Sequence, residues 1–115
     1  MAAETSVTKQ ANPSAATLTD LLLVPQNAQY WVGEVSVANR SASPTSFRLS
    51  HAVNGAVDAV TQYVAYDVPI KGNDVYLSRR LTLAPGDVVR VRATLATLTF
   101  VFNGLSIPAV EEETA

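Results

Sequence analysis

Thr45-Ser46-Phe47-Arg48-Leu49-Ser50-His51-Ala52-Val53, followed at once by Asn54-Gly55, decides the fold class. Phe47, Leu49, His51 and Val53 fall on one face of an extended chain, and Ser46, Arg48 and Ser50 on the other. That alternation of two is the signature of a strand with one face in a core and one in water. Asn54-Gly55 then ends it, because both residue types tolerate the positive φ of a tight turn.

The same pattern extends in both directions. Upstream, residues 17–24 form a first expected strand closed by Pro25-Gln26-Asn27, and residues 30–39 a second. In the second, Trp31, Gly33, Val35 and Val37 share one face, and Tyr30, Val32, Glu34 and Ser36 the other. Downstream, strands are expected over residues 61–68, 75–83, 88–95 and 97–106, separated by turn signals such as Gly72-Asn73-Asp74 and Ala84-Pro85-Gly86-Asp87. No segment has a convincing helical period. Seven short strands between regular turns predict an all-β fold, a two-sheet β-sandwich of immunoglobulin-like or jelly-roll topology.

Register adds a constraint. A two-residue hairpin on Pro85-Gly86 would pair Leu83 with Val88 and Leu81 with Arg90, placing the apolar sets of the fifth and sixth strands on opposite faces. A bulge could restore the register, but it would set Arg80 directly across from Arg90, an unfavourable like-charge pair. The two strands are therefore expected in different sheets.

The sandwich is expected over residues 17–107. Residues 1–16, rich in Ala, Ser, Thr and Asn, read as an extended N-terminal arm; residues 108–115, with Glu111, Glu112 and Glu113, read as an acidic tail. Such ends are mobile unless something holds them. A chain of 115 residues is one domain, able to bury roughly 65% of its unfolded surface without staples. It has no cysteine and a single histidine, which removes disulfides, thiolate metal sites and cysteine catalysis. The net charge of −2 gives no general attraction to nucleic acid or to anionic membranes, and neither is expected as a partner. No apolar run reaches the length of a membrane helix, and residues 1–10 lack the apolar stretch of a secretory signal.

Few residues invite a chemical reading. His51 lies on the apolar face of its strand with no nucleophile motif nearby, so a structural hydrogen bond is the simpler reading. Asp58, Asp67, Asp74 and Asp87 lie near strand ends without calcium-loop spacing, which fits turn capping. No catalytic constellation, metal site or cofactor is expected, and an enzyme is disfavoured. Arg80, Arg90 and Arg92 fall on outward registers. Arg79 shares the inward register of Val75, Leu77 and Leu81, so it must pair, snorkel, or sit at a bulge or subunit contact. Tyr30 and Val32 share the face that Glu34 marks as outward, and Tyr63, Ala65 and Asp67 oppose Val64 and Tyr66, so these strands are apolar on both faces, as in a strand central to a larger assembly or at a subunit contact. Only 16% of residues are charged, so much uncharged surface is exposed and self-association or docking is expected.

Several segments are familiar in combination: Leu22-Leu23-Val24-Pro25, Val35-Ser36-Val37-Ala38-Asn39-Arg40, Gln62-Tyr63-Val64-Ala65-Tyr66-Asp67, Gly72-Asn73-Asp74, residues 83–91, and Leu98-Thr99-Phe100 leading to Gly104. In this order, over about residues 18–105, the chain resembles small β-sandwich proteins encoded among the virion genes of tailed bacteriophages, many of them tail-associated. The resemblance implies a non-enzymatic virion protein, placed in the tail or decorating the capsid, with other virion proteins (tail or major capsid protein) and its own copies as partners. It carries no catalytic residues. It implies packing or contact roles for Tyr63 and Tyr66 on opposite strand faces. The arm, the acidic tail and the Arg79-Arg80 pair depart from the pattern and would tune docking to particular neighbours. A carbohydrate- or receptor-binding module is the reading of another class, with Trp31, Tyr30, Tyr63, Tyr66 and Tyr76 as its aromatic candidates.

Overall fold

A computed structural model describes residues 4–108. Among these residues nine strands form two antiparallel sheets packed face to face: β1 Thr5–Ala11, β2 Thr19–Leu23, β3 Ala28–Asn39, β4 Thr45–Ala52, β5 Tyr63–Ile70, β6 Val75–Leu77, β7 Leu81–Leu83, β8 Val88–Ala93 and β9 Leu98–Pro108. One sheet has the order β1-β9-β3-β6, with β7 also on β3; the other has the order β2-β8-β4-β5. Counting β6 and β7 as one interrupted strand, the antiparallel pairs are nested: β4 with β5, β3 with β6 and β7, β2 with β8, and β1 with β9. The pairings β3–β9 and β4–β8 roll this long hairpin into two sheets. That is a jelly roll, which settles the choice left open between two sandwich topologies. β7 and β8 lie in different sheets, as the parity argument requires.

Two expectations on strands change. The segment read as a free arm supplies β1, which pairs with β9 from Thr5↔Ser106 to Ala11↔Phe100. The sandwich therefore begins near Thr5, and β1 is the outermost partner of the nest. Its sequence hides this because only Val7 and Ala11 pack against the core, and the rest is held through backbone bonds. The acidic tail from residue 109 onward lies outside the described residues. Deleting residues 1–11 should lower stability by about 2 kcal/mol, through two lost apolar contacts and an uncovered β9 edge, with unfolding still cooperative. Urea unfolding of the truncated chain measures this, and an unchanged midpoint would show β1 to be dispensable.

The expected fifth strand is also broken. Ser78 is buried and takes over the ladder: its N–H donates to the Val35 carbonyl at 2.9 Å, and the Val35 N–H donates to its Oγ at 2.9 Å. The interruption reverses the parity of what precedes it. Val75 and Leu77 pair with Ala38 and Ser36, so they face outward rather than into the core, while Leu81 and Leu83 remain inside. Arg79 lies in the interruption and is exposed, so its expected inward register does not hold.

The core lies between the sheets. Phe47, Leu49, Val89 and Val91 come from one side and Val35, Val37, Phe100 and Phe102 from the other, all essentially without solvent contact. Gly33 and Gly104 face each other across the β3–β9 ladder on the inner side, and Phe102 reaches along the strand over both. Its ring stacks on Trp31 at 6.2 Å between centroids, which puts Trp31 in the core.

Candidate interaction surfaces

The outer face of the β2-β8-β4-β5 sheet carries three of the six arginines, Arg48, Arg90 and Arg92. β8 alternates Val89, Val91 and Ala93 inward with Arg90 and Arg92 outward. Arg92 lies directly opposite Arg48 on β4. Two guanidiniums so placed repel one another, and Asp67 from β5 relieves the contact. Asp67 sits at a bulge with φ of 50°, and its carboxylate takes both Arg48 Nε at 2.7 Å and Nη2 at 3.2 Å. That charge-assisted pair holds the Asp67 carboxyl below the ordinary carboxylate range. The Arg48 guanidinium also lies 4.2 Å from the centroid of the Tyr66 ring.

The irregular register of β5 brings Tyr63 and Tyr66 together. Their rings meet edge to face at 4.9 Å and 88°. The expectation that they lie on opposite strand faces is thus corrected, because β5 shifts register twice against β4. Tyr63 Oη donates to Asp58 Oδ1 at 2.8 Å, and burial together with this bond pushes the phenol pKa up. Tyr66 is about half exposed, at 49%.

Arg90 has a different task. It donates to the carboxylate of Asp20 at 3.2 Å and to the Ala56 carbonyl at 2.8 Å. It therefore pins the loop after β4 across the sheet. That loop presents aliphatic side chains to solvent, with Val57 at 86% exposure and Val53 and Val60 not far below. Sequence reading passed over this loop, although the run Val53-Asn54-Gly55-Ala56-Val57-Asp58-Ala59-Val60 has too few polar groups for an idle surface loop.

The other predicted residues lie on or beside the opposite sheet. Tyr30 and Val32 are half-buried on the outer face of β3. Arg80 is exposed next to Glu34, with Nε 3.7 Å from Oε1. The candidate residues thus divide between two surfaces on opposite sides of the sandwich, and Arg79 joins neither pairing.

His51 and Asp87 meet at one end of the sandwich. Asp87 is buried; its Oδ1 accepts the Asn54 N–H at 2.8 Å, and its Oδ2 accepts the Ala84 N–H at 2.9 Å and lies 2.7 Å from His51 Nε2. Burial alone would raise this carboxyl, but the donors outweigh it and its pKa lies below the usual value. With the carboxylate ionised, His51 Nε2 is the donor. The arrangement clamps the β7–β8 turn to the loop after β4. Among the described residues no group of three His, Cys, Asp or Glu could hold a metal ion, and no helix is long and apolar enough to cross a membrane. No protein-family model matches the chain, and no curated protein or solved structure is significantly similar to it.

Proposed function

We propose that this chain is a non-enzymatic structural component of a tailed-bacteriophage virion, assembling by subunit contacts, with a tail-associated position taken first and capsid decoration second. The observation that carries the reading is the distribution of exposed aliphatic groups. Val53, Val57 and Val60 on one loop and Val75 and Leu77 on a sheet surface are all more than half exposed. Exposed groups of this kind suit contacts repeated through a particle, where many weak contacts add up with copy number. The ordered segments that resemble phage virion proteins supply the biological setting. The jelly roll is compatible with it, since viral capsid proteins use that architecture, but lectins do too, so this support is analogy of fold alone. Its partners are other virion proteins (tail or major capsid protein) and copies of itself, with no nucleic acid, membrane or cofactor in the role.

Immunogold electron microscopy on intact phage particles tests the proposal. Label along the tail or at its end is the expected result. Label over the head would move the protein to capsid decoration. Protein present in infected cells with none on particles would overturn the virion reading.

The edge-to-face Tyr63–Tyr66 pair beside Asp58 and Asp67 favours one second reading, a carbohydrate or host-receptor module. A glycan array decides it: specific binding abolished by Tyr66→Ala supports it, and silence at high protein concentration removes it.

A further inference from the structure

The four sheet edges are each protected against pairing with another strand. β5 carries a bulge and Pro69, β2 is short and bulged, and β6 and β7 are three residues each with two arginines near the break. β1 is longer and regular, but Lys9 lies on its inner face, its ammonium 6.0 Å from the Trp31 ring. A charged side chain pointing inward on an edge strand opposes the docking of a further strand. Self-association through sheet edges is therefore disfavoured, and a face must carry it.

The outer face of the β1-β9-β3-β6 sheet has the right composition. Register places Val101, Ser36 and Leu77 in one row across β9, β3 and β6, and Leu105, Val32 and Thr82 in another across β9, β3 and β7. Between them runs the row of Asn103 and Glu34, with Arg80 beside Glu34. Val75 and Leu77 are 63% and 65% exposed. At the centre of this face the charges are Glu34 and Arg80, which sum to zero; Arg40 stands at its end, bonded to Thr99 Oγ1 on β9.

We infer that this face is the isologous interface of a two-fold homodimer, packing sheet against sheet. Charge and size select a second copy as the occupant. A face whose central acid and base cancel meets its own copy there without net repulsion, and each Glu34 gains a guanidinium from the other copy. A two-fold is the one arrangement in which a single patch must complement itself. The strands of this sheet, at about 4.8 Å spacing and about 3.3 Å per residue, give a face of about 570 Å². A stable interface buries about 800 Å² per partner and transient ones less, so a face of this size fits a weak dimer that forms with rising concentration. The opposite face is a poorer candidate, since its three arginines against Asp20 and Asp67 would bring like charges together. The inference deepens the self-association in the proposed function, but it does not depend on the virion setting.

Analytical ultracentrifugation of the full chain between about 5 and 500 μM is the test. A species of twice the chain mass is expected to grow in over that range. Leu77→Glu and Val101→Glu should each weaken it at least about 100-fold, because a buried unpaired carboxylate opposes association. Circular dichroism should show both variants folded, since neither side chain belongs to the core. Glu34→Arg should weaken the dimer about tenfold, and the double variant Glu34→Arg/Arg80→Glu should restore it. A chain monomeric at the highest concentration overturns the inference, as does a dimer indifferent to both glutamates. A dimer from a chain absent from particles would fail the virion proposal and leave this one standing. Incorporation of a chain that stays monomeric would do the reverse.

Discussion

Asp87→Ala should lower folding stability by about 3–4 kcal/mol. The alanine leaves the Asn54 and Ala84 N–H groups and His51 Nε2 without their acceptor in a buried site. Two loops come loose together: the β7–β8 turn and the segment after β4. For a domain of this size the melting midpoint should fall by more than about 10 °C. Asp87→Asn keeps one carbonyl oxygen and should fall between. The acid limb carries a second signature. Because the folded pKa of Asp87 is depressed, its contribution is fully present above the unfolded carboxylate value and is lost as pH falls through the folded one. The difference in stability between the wild-type chain and Asp87→Asn should accordingly shrink as pH drops below about 4. Urea unfolding of both proteins from neutral pH down to the acid transition measures it. A difference that stays constant with pH would show that the carboxylate's charge is irrelevant and that only its shape matters.

Gly104→Ala should be nearly as damaging, at about 3 kcal/mol, and Gly33→Ala similar. A Cβ on Gly104 would run into the Val32 carbonyl and stand 2.9 Å from both Gly33 Cα and Phe102 Cζ. A Cβ on Gly33 meets the Asn103 carbonyl and lies 2.7 Å from Gly104 Cα. Overpacking of this kind typically costs 1–3 kcal/mol, and here backbone as well as a side chain must move. The β3–β9 ladder is the longest in the fold, and parting it at the centre also disturbs the Phe102–Trp31 stack. Thermal unfolding gives the size of the effect. Combining Gly104→Ala with Phe102→Leu separates the causes. If the backbone contact dominates, the smaller side chain brings no recovery; a double variant more stable than Gly104→Ala would assign the cost to the ring instead.

Much of this was legible in the alternation of side chains. Phe47 and Leu49 against Arg48, and Trp31, Val35 and Val37 against Val32 and Glu34, announce their faces because a strand has period two and only one face is buried. Pro25, Asn54-Gly55 and Pro85-Gly86 announce the turns because few residues suit their φ values. Even the separation of β7 from β8 into different sheets followed from parity. Where one residue breaks the count, local reading fails. Ser78 inserts its hydroxyl into the ladder of β3 and turns Val75 and Leu77 outward, which creates the apolar surface now proposed as an interface. The bulges of β5 do the same for Tyr63 and Tyr66.

By itself, then, the sequence determined an all-β sandwich, its turns, and the identity of most core residues, because these follow from local periodicity and backbone preference. Only the tertiary structure decided that Thr5–Ala11 is a strand of the fold, that the nested pairs make a jelly roll, and which candidate residues share a surface. Those outcomes depend on pairing between residues as far apart as Thr5 and Ser106 and on one-residue shifts in register. The energy of such pairing resides in backbone bonds that every residue type except proline can make, so it leaves little trace in side-chain pattern.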